Sequence, residues 1–332
     1  MANRRFGLGR LMGGSQKPGG TNQDDESDLG FGSSFGGVVR RMINRDGSFN
    51  IRREGVRLRD INAYVYLVTL GWGKLLLVVL GAYMIFNAVF ALIYLGLGIE
   101  TLSGGEAIEG WFNQFSYAFF FSAQTFTTVG YGAISPIGLL TNFVASIEAM
   151  IGLMGFAVAT GVLWGRFSRP SAKIGFSKKG IIAPYQDINS FQFRMVNRRK
   201  NQLIELEVMV TLMYYKMVDG VRKQHFARLP LERDSVALFP LTWTVVHPID
   251  RTSPLYNLSQ EDLEMKYAEF LIIVKAYDDT FAQHVHLRTS YRYDELLFGA
   301  KFVKIFFDDE EGNIKLEMDK ISHCERAELN SY

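Results

Sequence analysis

Two long apolar segments stand out from an otherwise mixed chain. Residues 75–99 contain no formal charge, and residues 137–164 contain a single one, Glu148. At about 1.5 Å per residue, each segment exceeds the roughly 30 Å hydrocarbon layer of a bilayer. We therefore predict an outer spanning helix at 75–99 and an inner one at 137–166. The alternative, two buried helices of a soluble core, fits poorly with such lengths.

A third apolar segment, residues 112–126, is rich in aromatic residues but too short to span a bilayer, so it suits a re-entrant pore helix. Thr-Val-Gly-Tyr-Gly follows at 128–132. Non-helical backbone at membrane depth survives only inside protein or against a water-filled cavity. Two spans in one chain cannot surround it, so the sequence predicts an oligomer whose pore domain covers residues 75–170.

Basic residues flank the two spans but are missing between them, since the charged residues of 99–136 are all acidic. The positive-inside rule then predicts that both termini are cytoplasmic, in a multi-pass protein of the inner (plasma) membrane. The flanking basic residues are Arg52, Arg53, Arg57, Arg59 and Lys74 before the first span, and Arg166, Arg169, Lys173, Lys178 and Lys179 after the second.

The segment ahead of the first span has two parts. Residues 1–44, rich in Gly, Ser and Asn, are predicted to be a disordered tail. Residues 45–74 are predicted to be a cytoplasmic segment that ends in an amphipathic helix along the inner leaflet, because apolar residues from Ile61 to Trp72 recur at helical spacing. A straight extension of the outer helix is the alternative, and the two glycines that flank Trp72 favour a bend.

Short β-like runs replace the long apolar segments after Pro170. They lie at 203–215, 269–277, 284–291, 302–307 and 314–318. The last two flank an acidic turn and predict a hairpin, and Ser259 with Asp262 predicts the cap of one short helix. Residues 171–332 are therefore predicted to form an all-β sandwich.

The five residues after the short aromatic segment suit potassium coordination. A ring of backbone carbonyls can replace the hydration shell of a potassium ion, and this pentapeptide is the established sequence of such filters. Gly130 and Gly132 allow conformations closed to residues with a Cβ, and the Thr128 hydroxyl can add a ring of oxygens. Val129 and Tyr131 are predicted to point away and pack against the pore helix. An ordinary glycine turn, the alternative, does not explain the aromatic helix ahead of it.

At this point the chain resembles the potassium channels, and residues 45–307 resemble the prokaryotic inward rectifiers more narrowly. The narrower resemblance is carried by FRMVNRRKNQLIELEV, LPLERDSVALFPLTWTVVHPIDRTSPLY and RTSYRYDELLFGAKF. It implies a membrane α domain, with two spans and a pore helix, joined to a C-terminal all-β immunoglobulin-like cytoplasmic domain. Four copies would form a homotetramer that conducts potassium passively and continues its pore into the cytoplasm.

The inner helix contains the candidate gate. Phe156, Thr160 and Trp164 lie four residues apart and share a helix face. The resemblance places Phe156 and Trp164 at pore-facing constrictions, where rings of apolar side chains block ions by dewetting; the alternative is that they face lipid or the outer helix. Gly152 resembles the family's hinge glycine, and close helix packing is the equal alternative.

Glu148 and Gln124 are candidates for support of the cavity or the filter. Glu148 either influences the cavity field or bonds behind the filter, to Gln124 or Thr127, and the sequence does not separate these. The strongly rectifying animal members of the family pair a pore-helix glutamate with an arginine just past the filter. Gln124 and Ile134 occupy those positions here, so that brace is expected to be absent.

The resemblance also predicts weak polyamine rectification. Phe156 and Lys275 stand where strong rectifiers have acids, whereas Glu205 keeps the acidic character of a third position. The loop at 278–284 corresponds to the one that narrows the cytoplasmic pore. Its candidate pore residues are Asp278, Asp279 and Gln283.

Five of the basic residues are candidates for contact with anionic lipid, since each gains about 1 kcal/mol near an anionic surface. They are Arg57, Arg59, Arg166, Arg169 and Lys173. Plain topology determination is the alternative for each. Phosphoinositides inhibit prokaryotic relatives, and the resemblance implies the same sign here.

Composition excludes several other classes. The net charge of +2 does not favour a nucleic-acid partner, and a single cysteine, Cys324, excludes an intramolecular disulfide. No nucleophile–base pair, metal cluster or phosphate loop predicts an enzyme. His284 and His286 are too few for a metal site, so we expect potassium ions in the filter, no other metal and no organic cofactor. A membrane-anchored β-sandwich that binds a partner without conducting is the alternative function.

Overall fold

A computed structural model describes residues 41–52, 54–55, 57, 62–169, 173–199, 201–218 and 220–331. The chain forms two compact units. One comprises Arg52–Ser171, and the other combines Met1–Ile51 with Ala172–Tyr332. Of the predicted disordered tail, residues 1–40 lie outside the described residues.

The first unit is helical. Its helices are α1 Ala63–Thr69, α2 Trp72–Leu97, α3 Trp111–Phe126 and α4 Leu139–Phe167. The Asn62 side chain caps α1 by accepting from the Val65 amide at 3.2 Å. Extended backbone at Leu70 and Gly71 then separates α1 from α2, so the straight extension is not what forms.

The inner helix begins two residues later than predicted. Gly138 adopts a φ of 85° and serves as the N-cap. The Asn142 side chain donates to the carbonyls of Pro136 and Gly138, which fixes the chain ahead of the helix. Pro136 therefore lies two positions before the N-cap of α4.

The three long helices pack around a small apolar core. Its buried members are Phe90, Ala91, Tyr94, Leu102, Ala118, Phe121 and Ala145. Helices α2 and α4 are both long and apolar enough to cross a membrane. Large apolar side chains along both, such as Leu77 and Leu139, are exposed in the single chain. Such surfaces suit lipid or further copies of the chain.

The second unit is a β-sandwich with one short helix, α5 Gln260–Met265. Its strands are β1 Ile174–Phe176, β2 Gly180–Tyr185, β3 Ile188–Asn197, β4 Leu203–Val218, β5 Val221–Leu229, β6 Ser235–Leu238, β7 Thr242–Ile249, β8 Glu269–Asp278, β9 Gln283–Arg292, β10 Leu296–Phe298, β11 Ala300–Phe302, β12 Phe306–Asp308, β13 Ile314–Leu316 and β14 Cys324–Arg326.

Two five-stranded sheets form the sandwich. One has the order β1-β3-β2-β10 with β7 also on β3, and the other β5-β4-β8-β9 with β6 also on β4. The parallel pair is β10 with β2. Phe191 of the first sheet stacks on Phe270 of the second with ring centroids 4.2 Å apart, in the shared core. This architecture confirms the predicted fold class, and the capping box of Ser259 with Asp262 confirms the predicted helix start.

The predicted C-terminal hairpin is shorter than expected. Only Phe306–Asp308 pairs with Ile314–Leu316. The chain ahead of it, β11, pairs instead with β14. Pairing with β14 buries Phe302, which the run of 302–307 had placed in the hairpin.

Residues 41–50 pack on the sandwich, so the predicted disorder of residues 41–44 is wrong. The amides of Met42 and Ile43 donate to the buried carboxylate of Glu269. Arg41 forms an ion pair with Glu295 at 2.8 Å. Burial acts to raise the pKa of Glu295, but its bonds with Arg41 and the Arg292 amide outweigh this and lower it.

Candidate ion-conduction site

The filter segment is hydrogen-bonded to the C-terminal end of the pore helix. The Gln124 carbonyl accepts from the amides of both Val129 and Gly130, at 2.9 and 3.2 Å. The Thr128 amide donates to the Thr125 carbonyl at 3.0 Å. These bonds continue the last turn of α3 into the non-helical residues and fix where the filter begins.

The filter backbone alternates in handedness. Thr128, Gly130 and Gly132 have φ values of 59°, 54° and 82°, and the residues between them do not have positive φ. Such alternation lets successive peptide groups lie on one side of the chain. The glycines adopt it freely, whereas a β-branched Thr128 in this region is strained by about 1–3 kcal/mol. The motif predicted unusual backbone conformations at the two glycines but gave no signal for the positive φ of Thr128.

The side chains of the filter are open to the outside of the single chain. Val129 is 53% exposed and Tyr131 is 83% exposed. The expectation that they pack against a pore helix stays a prediction, because a neighbouring copy would cover this surface. They border a depression of about 450 Å³. Its lining comprises Tyr83, Phe120, Ala123, Gln124, Thr127, Val129, Tyr131, Ala133 and Ile134.

A neutral contact joins the pore helix to the chain just past the filter, where the strongly rectifying animal members are expected to use an ion pair. The Gln124 side-chain amide donates to the Ile134 carbonyl at 3.4 Å. In the segments that flank α3, Ser103 and Ser135 bond to each other through backbone and side chains, and the Ile137 amide donates to the Thr101 carbonyl at 2.7 Å. The loop between α2 and α3 thus holds the chain that leaves the filter, a contact that sequence reasoning missed.

Glu148 is fully buried and bonds to neither of its predicted partners. The Tyr94 hydroxyl donates to one of its carboxyl oxygens at 2.6 Å, and the Ser122 hydroxyl bonds to the other. Ser122 also contacts the Asn87 amide oxygen at 2.9 Å. Glu148 is thus bonded inside the subunit, as one of the two alternatives expected, but with Tyr94 and Ser122 in place of Gln124 and Thr127.

The candidate gate residues project from α4 without intrachain cover. Phe156 and Trp164 are 73% and 74% exposed, and Thr160 between them is exposed as well. Neither large side chain is buried against the outer helix of the same chain. Their outward placement is compatible with a pore face or with lipid.

Gly152 lies at a close helix crossing. A Cβ built there would lie 2.0 Å from the Phe126 carbonyl oxygen at the end of α3. Helix α4 continues without interruption through this position. The close-packing alternative therefore has direct geometric support, and the hinge remains a prediction.

Arg166 is already engaged inside the chain. Its guanidinium donates to the carbonyls of Val68 and Leu70 at the end of α1 and lies over the Trp72 ring. Among the other lipid candidates, Arg57, Arg169 and Lys173 are exposed, and Arg59 lies outside the described residues.

The candidate residues of the cytoplasmic pore divide into exposed and buried groups. Glu205, with a φ of 50° at an irregularity of β4, is exposed, as are Asp279 and Gln283. Asp278 is fully buried and accepts from the Asn201 side chain and the Thr280 amide, so its assignment to a pore surface is wrong. Its carboxylate organises the loop instead.

One serine–histidine pair was missed from the sequence. His247 lies 2.7 Å from the Ser253 hydroxyl, and its other ring nitrogen lies 2.5 Å from the Pro230 carbonyl. Both side chains are buried, and Ser253 also accepts from the Leu255 amide. Burial lowers the pKa of His247 despite the bond to Pro230. Because both side chains are buried, the pair is not accessible to a substrate. Its hydrogen bond connects β7 to the loop that follows it.

These features define an ion-channel subunit: two spanning helices, a re-entrant helix with a glycine-containing filter, and a separate β-sandwich. The family model for ion channels matches residues 78–169, and that for the inward rectifier potassium channel C-terminal domain matches residues 174–331. Inward rectifier potassium channel Kirbac3.1 of Paramagnetospirillum magnetotacticum is 37% identical over 285 residues, which cover 84% of this chain and 94% of that relative. The chain belongs to the inward rectifier potassium channel family.

Two solved structures also align over part of the chain. Spo0M, a sporulation control protein from Bacillus subtilis, has 8% identity and a TM-score of 0.23, covering 39% of this chain and 50% of its own. AvmM, described as catalysing macrocyclization in alchivemycin A biosynthesis, has 9% identity and a TM-score of 0.18, covering 37% and 89%. Scores this low carry no argument about fold or function.

Proposed function

We propose that four copies of this chain form a channel that conducts potassium passively and selectively through the filter at Thr128–Gly132. The observation that carries the proposal is the filter backbone. Its alternating φ values, held by the Gln124 carbonyl, suit a row of carbonyl oxygens directed at dehydrated ions. Its coordinated ions would be potassium, with no organic cofactor.

The exposed surfaces support assembly. A filter with Val129 and Tyr131 uncovered cannot stand alone at membrane depth, because its backbone needs protein or an aqueous cavity around it. A neighbouring copy would cover the depression behind the filter. The filter's opposite side would then face the three other filters, with a homotetramer as the closed arrangement.

The gate is proposed at the cytoplasmic end of the inner helix. In a fourfold arrangement, Phe156 and Trp164 would form two apolar rings that stop ions by dewetting when they close, with Thr160 between them. Gly152 could still act as the hinge of the family pattern. Its contact with Phe126 would then be the point about which α4 moves relative to α3.

The membrane arrangement follows the charges. The protein is proposed to lie in the inner (plasma) membrane with both termini cytoplasmic. The exposed residues Arg57, Arg169 and Lys173 are the proposed contacts for anionic lipid, including phosphoinositides, and inhibition is the proposed sign. Arg166 acts there chiefly through its bonds to α1.

Rectification by polyamines is proposed to be weak. Phe156 supplies no charge to the inner pore, and Lys275 pairs with Glu207 at 3.4 Å, which offsets one of the acids on this sheet. Glu205, Asp279 and Gln283 remain as exposed candidates along a cytoplasmic pore, with Glu205 and Asp279 its acidic members.

Current recordings from purified protein in planar bilayers test this proposal. Membranes without phosphoinositide should show potassium current, and membranes that contain it should show a smaller one. Spermine on the cytoplasmic side should reduce outward current only slightly. Absence of any potassium current from tetrameric protein would overturn the proposed function. Stimulation by phosphoinositide would reverse the sign of the lipid effect, and strong spermine block would overturn the rectification part.

A further inference from the structure

A line of hydrogen bonds crosses the three long helices behind the filter. It connects Asn87 and Tyr94 of α2, Ser122 of α3 and Glu148 of α4. Asn87, Tyr94, Ser122 and Glu148 are all fully buried. Ser122 precedes by two positions Gln124, whose carbonyl accepts the filter amides. The line therefore fixes the part of the pore helix that holds the filter.

The orientation of Asn87 sets the direction of the bonds. Its side-chain nitrogen donates to the Tyr83 carbonyl at 2.7 Å. The reverse orientation would bring two acceptor oxygens together. Its amide oxygen therefore faces Ser122 and requires a proton from it, because an amide oxygen only accepts.

Counting protons then assigns the state of Glu148. Ser122 has one hydroxyl proton, and the Asn87 oxygen requires it. An ionised Glu148 would face the Ser122 oxygen as a second acceptor with no proton between them. A protonated Glu148 donates to Ser122, accepts from Tyr94 and leaves every group in the line satisfied.

The surroundings agree with a neutral side chain. An ionised carboxylate inside a membrane span is costly unless a cation pairs with it. Among the residues of α2, α3 and α4, the cations are Lys74 and Arg166. Arg166 is eighteen positions from Glu148, which is roughly 27 Å along the helix axis. Within the described part of the chain, Glu148 bonds to the Tyr94 and Ser122 hydroxyls and to no basic side chain.

We propose that Glu148 is a neutral carboxylic acid that donates to Ser122 and acts as a positioning residue for the pore helix. The inference rests on the proposed function for its effect on ion selectivity. A neutral Glu148 contributes no charge to the electric field of the pore cavity. Its role is to hold α3 between α2 and α4, so that the Gln124 carbonyl stays where the filter amides require it.

Two substitutions at Glu148 separate a neutral donor from a cavity charge. Glu148→Gln keeps a donor for Ser122 and an acceptor for Tyr94 without an ionisable group. Glu148→Leu keeps similar bulk but removes both bonds. Ser122→Ala interrupts the same line from α3 and serves if Glu148→Leu does not assemble. Ser116→Ala is the matched control, because that pore-helix hydroxyl donates to the Phe112 carbonyl within its own helix.

The first readout is the potassium-to-sodium flux ratio of size-checked tetramers in liposomes. We expect Glu148→Gln to keep this flux ratio within about twofold of wild type. Glu148→Leu or Ser122→Ala should lower it about tenfold, as expected for a lost buried hydrogen bond. Ser116→Ala should match wild type. A ratio unchanged in Ser122→Ala, or lost equally in Glu148→Gln and Glu148→Leu, would overturn the proposal.

The second readout does not depend on conduction. The infrared difference spectrum of wild type minus Glu148→Gln, in an ester-free detergent at neutral pH, should contain the carbonyl band of a protonated carboxylic acid. A carboxylate band in its place would overturn the assignment. If wild-type tetramers conduct no potassium selectively, the proposed function fails, while this spectrum still decides the state of Glu148.

Discussion

The Arg166 guanidinium lies over the indole ring of Trp72, 4.4 Å from the ring centroid. The same guanidinium donates to the carbonyls of Val68 and Leu70, so it satisfies the C-terminal end of α1 and joins it to the end of α4. Val68, Leu75 and Val162 form a buried cluster beside it. These contacts join the end of α4 to α1, so the two cannot separate without breaking them.

Arg166→Lys tests whether this residue acts through geometry or through charge alone. Lysine keeps the charge but cannot bond two carbonyls and stack on Trp72 at once. We expect the purified channel to unfold at a lower temperature, with about 1–3 kcal/mol lost per subunit, and the basal flux to change as it does in Arg166→Gln. The exposed Arg169→Lys is the control. Wild-type behaviour of Arg166→Lys would favour a purely electrostatic lipid contact.

Glycine-to-alanine substitutions along α4 should differ sharply. Gly152→Ala places a Cβ 2.0 Å from the Phe126 carbonyl oxygen, so overpacking should cost about 1–3 kcal/mol or more. At Gly161 the corresponding position has no contact within 4 Å beyond its chain neighbours and the backbone of its own helix. Gly161→Ala should therefore be neutral or stabilise the helix by up to about 1 kcal/mol. Thermal unfolding of detergent-solubilised tetramers measures both, and equal stability of the two variants would contradict the close crossing.

Gly130→Ala should abolish potassium selectivity. Its φ of 54° is strained for alanine by about 1–2 kcal/mol, and relief of that strain rotates a filter peptide group. Gly312→Ala is the matched control, since Gly312 has a φ of 82° and equally open surroundings in the cytoplasmic hairpin. Selectivity in bilayer recordings should be lost in the first variant and kept in the second. Retained selectivity in Gly130→Ala would count against the filter assignment.

Trp164→Ala should raise basal potassium flux, because removing the largest side chain of the proposed ring lets water and ions pass. Phe143→Ala is the control, an exposed aromatic on the outer half of the same helix. Liposome flux without added ligand measures the difference. If the two variants behave alike, Trp164 faces lipid and the constriction lies elsewhere.

Local pattern was enough to predict the two long apolar helices, the short aromatic helix ahead of the filter segment, and the strands β4, β8, β9 and β13. Length and hydropathy decide membrane insertion. The glycines of the filter indicate positions where the backbone adopts a positive φ. The fold class followed because strand alternation and the short aromatic helix are properties of contiguous residues.

Long-range pairing was not available from the sequence. Tyr94 and Glu148 are separated by 54 positions, and their bond depends on the rotation of two helices about their axes. Asp278 was misplaced because an acid in a loop can face solvent or bond its own turn with the same sequence. Residues 41–44 were expected to be disordered because their apolar cover, on Met213 and Leu271, comes from distant strands.

The reversal potential of purified tetramers in a planar bilayer, with potassium on one side and sodium on the other, tests the central claim most directly. A carbonyl filter at Thr128–Gly132 predicts a potential close to that of a membrane permeable to potassium alone, and its collapse in Gly130→Ala but not in Gly312→Ala. A reversal potential near zero in the wild-type protein would show that potassium and sodium pass equally and would contradict it.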